Sequence, residues 1–536
     1  MNTSRSRTRT VLVLIAGAVL ILGQVSLSEG PCTAPAHGIV PAESIDGSPG
    51  GQLRWLLDHG YQGDIYDAHA HLFAVPETSL LPSLTDPTVD RFVIKPMSIA
   101  DQLDAHLFYL SEHLHVRGFV NLALPNLGGL GDPSCTYEWR GGTYPMAYVP
   151  AKPGSDPGDD NLMAFAGNVY SASALYTKFA SFDPASGRHR VFAYTGLDWA
   201  DIRAGVLDGS IASIEDVKAR LAARIRRFRE IGFDGLKFVS EWTAGRNGKW
   251  GAARDLVLLE TLDASGDPWA LDGEMFNGPG GVFDIAVEVG VPVVVHGGDG
   301  GPNTEAFWAP GGVWDRILDA HPGLELQIAH GHAIGNLHKG RPHEGADAEA
   351  CDQVVSWMVA LFDRHDGSHG GAMVRIDMGS LISVFAEHNS LHRSGASAHD
   401  IRQILIDYDR HFLLGLDPIN QAARTYQTEG CGAISNPIES QYLGARVKLE
   451  GPFVEGNPKM QYLDLIGEGD TLDRIYRENL FEQLGEVSAV DVPLAIDYIE
   501  KLIASVNTEY RGTTPETDPL VAALSEILAE LSVGLP

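Results

Sequence analysis

Cysteine is scarce in this chain, with four in 536 residues and none in C-x-x-C spacing. That argues against cysteine as nucleophile, redox pair or metal ligand. Cys32, Cys135, Cys351 and Cys431 could close up to two disulfides, with three connectivities open. A chain this long buries an ample core without them. Basic residues are short as well: 39 Lys and Arg against 70 Asp and Glu, a formal net charge of -31. Such a surface repels nucleic acid and anionic membranes. A small-molecule substrate is the expected partner. There is no low-complexity tract and no repeat beyond an alternation of strand and helix patterns. The apolar run from Val11 to Leu22 is short for a membrane span. Preceded by Arg5, Arg7 and Arg9 and followed by Ser26 and Ser28, it has the shape of an export signal. No Arg-Arg pair and no lipobox before Cys32 accompany it. The expectation is a signal peptide over 1–28 and general export to the periplasm or beyond, with an uncleaved anchor as the alternative.

What the chain has is a series of short apolar, β-branched runs. They begin near Asp64 to Ala68 and recur at Gly118 to Leu124, Arg190 to Tyr194, Gly235 to Val239, Val291 to Val295, Leu324 to Ala329, Met373 to Ile376 and His411 to Leu416. Several are apolar almost throughout, as strands covered on both faces must be. Between them lie helical spacings, such as Val217, Leu221, Ile225 and Phe228 within Ile214 to Ile231. Eight strand-then-helix units predict an α/β fold, a (β/α)₈ TIM barrel, over 62–490. Residues 29–61 precede it as an extension, and 491–536 follow it as helices.

In such a barrel the C-terminal ends of the strands face the active site. The first run ends in His69-Ala70-His71, where alternation puts both imidazoles on one face. The fifth run ends at His296, the sixth at His330 and the eighth at Asp417. Neutral imidazoles with one carboxylate suit Zn²⁺, and discriminate poorly against Fe²⁺ or Mn²⁺.

Four stretches carry a resemblance: Tyr66-Asp67-Ala68-His69-Ala70-His71-Leu72, Val289 to His296, His321-Pro322-Gly323 leading to Ala329-His330-Gly331, and Asp409 to Pro418. Together they resemble the amidohydrolase superfamily, in the branch that includes aminocarboxymuconate-semialdehyde decarboxylase. Arg474 to Leu480 is similar to the helix that closes that family's barrel. The resemblance implies that His69, His71 and His296 hold the metal, with Asp417 as a further ligand or as proton acceptor. It implies that His330 polarises or protonates the substrate. Lys237 ends the fourth run, where dinuclear members carry a carboxylated lysine bridging two ions and where a structural ion pair is the alternative. One ion or two therefore stays open.

The chain also departs from the family. His332 follows His330 after a single glycine, and is expected to bond a loop carbonyl. Gly297-Gly298-Asp299-Gly300-Gly301 lacks the lysine and hydroxyl of a P-loop, so it reads as a close approach of backbone to the pocket. Long insertions run from Pro125 to about Phe182, after the fourth strand, and after Asp417. They should roof the pocket, with Trp242 and Arg246 as candidates for binding a ring and a carboxylate. In the helix Ile99 to His115, Leu103, Leu107, Leu110 and Leu114 form the apolar face, and His106 and His113 are assigned to the polar one. Near the C-terminus, Asp518 and Pro519 begin a helix whose stripe of Leu520, Leu524, Ile527 and Leu531 packs on the barrel or on a second copy.

These expectations converge on an exported metal-dependent hydrolase acting on an amide, ester or lactone. Non-oxidative decarboxylation is the alternative within the resemblance, and a barrel that binds ligand without turnover is the alternative outside it.

Overall fold

The computed structural model describes residues 60–74, 93–94, 98–123, 136–139, 142–145, 162–197, 209–239, 271–296, 304–329, 346–378, 398–416, 424–428, 431–434, 469–505 and 514–533, together with positions 58, 442, 445–446 and 449–450. The expected signal peptide and N-terminal extension lie almost wholly outside these residues, as do Cys32 and Cys135.

All eight expected strands form, and they make one parallel sheet in sequence order. They are β1 (Ile65–Ala70), β2 (Val116–Leu122), β3 (Val191–Thr195), β4 (Gly235–Val239), β5 (Val293–His296), β6 (Glu325–Ala329), β7 (Met373–Asp377) and β8 (Phe412–Leu413). The Ala68 N–H donates to the Leu414 carbonyl at 2.6 Å, which brings the chain just beyond β8 against β1. The sheet is thereby a nearly closed, TIM-like barrel.

Alternation sorts the strand residues into two packed layers. Ala68, Val120, Leu122, Phe192, Tyr194, Val294, Ala329 and Leu413 fill the barrel interior together with Leu480 and Leu484. Ile65, Phe119, Ala193, Leu236, Phe238, Val293, Leu326, Ile328 and Ile376 face outward and pack against the helices. Burial on both sides is why these runs read as continuous apolar stretches.

The helices are α1 (Ile99–Leu114), α2 (Leu162–Ala180), α3 (Ile214–Ile231), α4 (Val282–Val289), α5 (Val313–Ala320), α6 (Ala346–Arg364) and α7 (Ala398–Asp407), with shorter turns between. In α3 the Ser213 side chain caps the Asp216 N–H, and Gly232 at φ 122° ends the helix. Its expected stripe, Val217, Leu221, Ile225 and Phe228, is buried.

A run from Gly469–Asp473 through the π-helical turn Arg474–Glu478 to Asn479–Leu484 forms α8. Leu480 and Leu484 enter the barrel interior, and the Asn479 amide donates to the Asp409 and Phe412 carbonyls at 2.6 and 2.8 Å. It therefore plugs the barrel at the N-terminal ends of the strands. Arg375, buried on β7, pairs there with Glu325 and with Glu482 of α8. Val492–Ser505 (α9) and Pro519–Val533 (α10) follow. In α10 Leu524, Ile527 and Leu531 are fully buried, and the helix packs on α2 and α9. Its stripe is thus covered by this chain's own barrel shell.

The expected insertion from Pro125 to about Phe182 contains α2 over its last third. That helix is rich in Ala and Ser, and its polar Ser173, Thr177 and Lys178 are buried, so it shows no amphipathic stripe. His106 was assigned to a polar face but is 1% exposed, packed against Phe119 at 4.4 Å between ring centroids and against Tyr442. The side chain of His113 lies outside the described residues. Three small antiparallel sheets belong to the loops: Thr136–Trp139 pairs with Gly142–Pro145, Phe182–Asp183 pairs with Arg188–His189, and Arg424–Thr428 pairs with both Val93–Ile94 and Cys431–Ile434. The last joins the loop after β1 to the loop after β8. Among the described residues no helix is long and apolar enough to cross a membrane.

Candidate metal centre at the barrel mouth

Simple alternation along β1 would have set His69 and His71 on the outer face, in step with Ile65. A β-bulge prevents this. Asp67 is opposite Phe119 and Ala70 is opposite Asn121, so β1 advances three residues while β2 advances two. The extra residue turns His69 inward beside Ala68, and His71 follows it. The two rings meet edge to face, with centroids 5.0 Å apart and Nε2 atoms 3.1 Å apart.

Each ring is held through its other nitrogen. His69 Nδ1 lies 2.9 Å from Asp377 Oδ2, and His71 Nδ1 lies 2.5 Å from the Leu122 carbonyl. A carbonyl and an ionised carboxylate only accept, so both Nδ1 atoms carry the proton. In the neutral rings both Nε2 atoms then present lone pairs, and these face each other. Such an arrangement is repulsive unless a cation or a proton lies between them.

Asp67 fixes the bulge from behind. Its Oδ1 accepts the His69 N–H at 2.9 Å and the Leu416 N–H at 3.1 Å, and its Oδ2 accepts the Tyr442 hydroxyl. Complete burial pushes its carboxyl up to about 7, partly opposed by those three hydrogen bonds and reinforced by the charge of Asp377. The same contact makes the Tyr442 hydroxyl harder to ionise, after burial itself. Asp67 thus ties the strand bearing both histidines to the residue just before Asp417.

Asp377 ends β7 one residue beyond the apolar run Met373 to Ile376, so the run itself does not mark it. It is completely buried and also accepts the Gln327 amide at 3.0 Å. Lys237 is buried on β4, in register with Val294 of the barrel interior. Tyr170 of α2 stands edge-on to His71, 5.8 Å between centroids.

His296 ends β5 in register with Val239 and Ala329, but its side chain lies outside the described residues. His330, His332, Asp417, Trp242, Arg246 and the glycine cluster after His296 lie outside them altogether. The structure therefore brings together His69 and His71, adds Asp67 and Asp377, and places Lys237 in the same barrel. Among the described residues no group of three or more His, Cys, Asp or Glu surrounds a single point. No protein-family profile matches the chain, and no curated protein sequence matches it.

Proposed function

We propose that this barrel mouth holds a divalent metal ion, Zn²⁺ before Fe²⁺ or Mn²⁺, and that the protein is an exported metal-dependent hydrolase of the amidohydrolase type. The observation that carries the reading is the pair of Nε2 atoms 3.1 Å apart, each on a ring whose Nδ1 is already committed to an acceptor. Nitrogen ligands lie about 2.0–2.1 Å from Zn²⁺, so two of them on one ion can stand at this separation. In a buried pair of imidazoles held in the Nδ1–H tautomer, the two Nε2 lone pairs suit a shared cation.

His69, His71 and His296 would hold the ion, with Asp417 beside them and Lys237 available if a second ion is present. When bound, such an ion lowers the pKa of water towards about 7 and polarises a carbonyl. Asp417, next to the tethered Leu416, would take the proton of the attacking water and return it to the leaving group. His330 would hold or protonate the carbonyl oxygen. Arg246 and Trp242 would orient a substrate bearing a carboxylate or a ring. The bond cleaved is the C–N or C–O bond of an amide, ester or lactone.

The test is turnover of a panel of esters, lactones and amides by the purified protein before chelation, after it, and after metal is restored. Hydrolysis of at least one class, lost on chelation and regained with Zn²⁺, is expected. Metal-replete protein that hydrolyses none of them but releases carbon dioxide from unsaturated carboxylic acids would move the activity to decarboxylation.

A further inference from the structure

We infer that Asp377 is a positioning residue for His69, and that Gly415 is the opening through which it acts; this rests on the metal reading above. Asp377 belongs to β7 and His69 to β1, and between those strands lies the chain leaving β8. The Asp377 carboxylate must pass over that intervening backbone to reach His69 Nδ1 at 2.9 Å. The residue in its path is Gly415. A Cβ there would stand 2.6 Å from Asp377 Cβ and 3.0 Å from His69 Cβ, closer than side chains tolerate. Asp377 and His69 thus meet across the chain leaving β8 because that chain has no side chain at the crossing point.

The carboxylate is held in its turn. Gln483 of α8 donates its amide to Gln327 Oε1 at 3.0 Å, and Gln327 donates its own amide to Asp377 Oδ2 at 3.0 Å. A line of polar side chains therefore runs up the barrel interior, from the plug through β6 and β7 to His69. The sequence of donors leaves Asp377 Oδ2 as a double acceptor, which matches a carboxylate and fixes the orientation of both amides. Its consequence for His69 is chemical as well as geometric. A carboxylate on Nδ1 locks the tautomer that exposes Nε2 and makes that nitrogen a stronger donor to a cation.

The experiment uses the full-length protein and the metals alone. Zn²⁺ affinity is measured by competition with a chelator, for wild type, Asp377→Asn, Asp377→Ala and Gly415→Ala. Asp377→Asn keeps the shape and both acceptor contacts but removes the charge, so about a tenfold weaker affinity is expected. Asp377→Ala and Gly415→Ala break the contact, and about a hundredfold loss is expected of each. Co²⁺-loaded Asp377→Asn should show a shifted visible absorption spectrum, which a role confined to folding would not produce. Asp377→Asn that binds Zn²⁺ as tightly as wild type, with an unchanged Co²⁺ spectrum and only a lower melting temperature, overturns the inference. Wild-type protein that takes up no Zn²⁺ is a different result, and overturns the metal reading itself.

Discussion

The histidines at the barrel mouth and those in the helical shell are equally buried, yet they are built differently. His321, at the end of α5, has an oxygen partner on each nitrogen: Asp284 at 2.7 Å and Asn277 at 2.9 Å. His411 gives Nδ1 to the Val374 carbonyl at 2.7 Å and stacks on Phe362 at 4.3 Å. His321 is thus satisfied on both nitrogens, and both rings tie one element to another. At the mouth, by contrast, Nδ1 is anchored in each ring and the second nitrogens are turned toward one another. Burial and hydrogen bonding alone do not separate a structural histidine from a ligand. On the proposed reading, what the second nitrogen faces does.

Three changes sharpen that contrast. The largest effect is expected from His330→Ala, which should lower turnover by about 10²- to 10⁴-fold while leaving metal content unchanged, as befits a group acting on substrate. Parallel loss of metal and activity in that variant would instead make His330 a ligand. In the shell, His321→Leu leaves Asp284 and Asn277 without their shared partner. It should cost about 1–3 kcal/mol in denaturant unfolding and leave metal content and turnover per folded molecule untouched.

The smallest effect concerns His106, neither of whose ring nitrogens has a hydrogen-bond partner among the described residues. Burial lowers its pKa from 6.5 to about 3, so it is neutral in the folded protein. Because the unfolded chain binds the proton more tightly, the stability is fully present above pH 6.5 and falls as the pH drops from there toward 3. The loss from this one residue is about 2 kcal/mol at pH 5. His106→Leu should therefore gain about 1 kcal/mol at pH 7, where an unpaired polar group is removed. It should also flatten the acid limb of the stability profile. A variant less stable than wild type at both pH values would show that the imidazole contributes packing that leucine cannot replace.

The strands were legible because a barrel buries both of their faces, which leaves an apolar run with little polar interruption. The stripe of α3 was legible for the opposite reason, one face only being buried. Helix α2 was hidden because it is covered nearly all round and carries buried Ser, Thr and Lys in place of an apolar stripe. His106 was misplaced by the same logic: a lone polar residue on an otherwise leucine-rich helix says nothing of the rings packed against it. The His69 and His71 pair was visible as a motif, but the route to it was not. Asp67 to His71 contains no glycine or proline to mark a bulge, and the bulge depends on contacts from Leu416 and Tyr442, far away in the chain. Asp377 and Gly415 escaped notice because their meaning is a crossing of three strands, which no local pattern encodes.

That His69 and His71 hold a metal ion is tested most directly by elemental analysis of the purified, metal-replete protein beside its His69→Ala plus His71→Ala variant. About one equivalent in the wild type, or two if Lys237 takes part, and essentially none in the variant is the predicted result. Full metal occupancy in the double variant would contradict it.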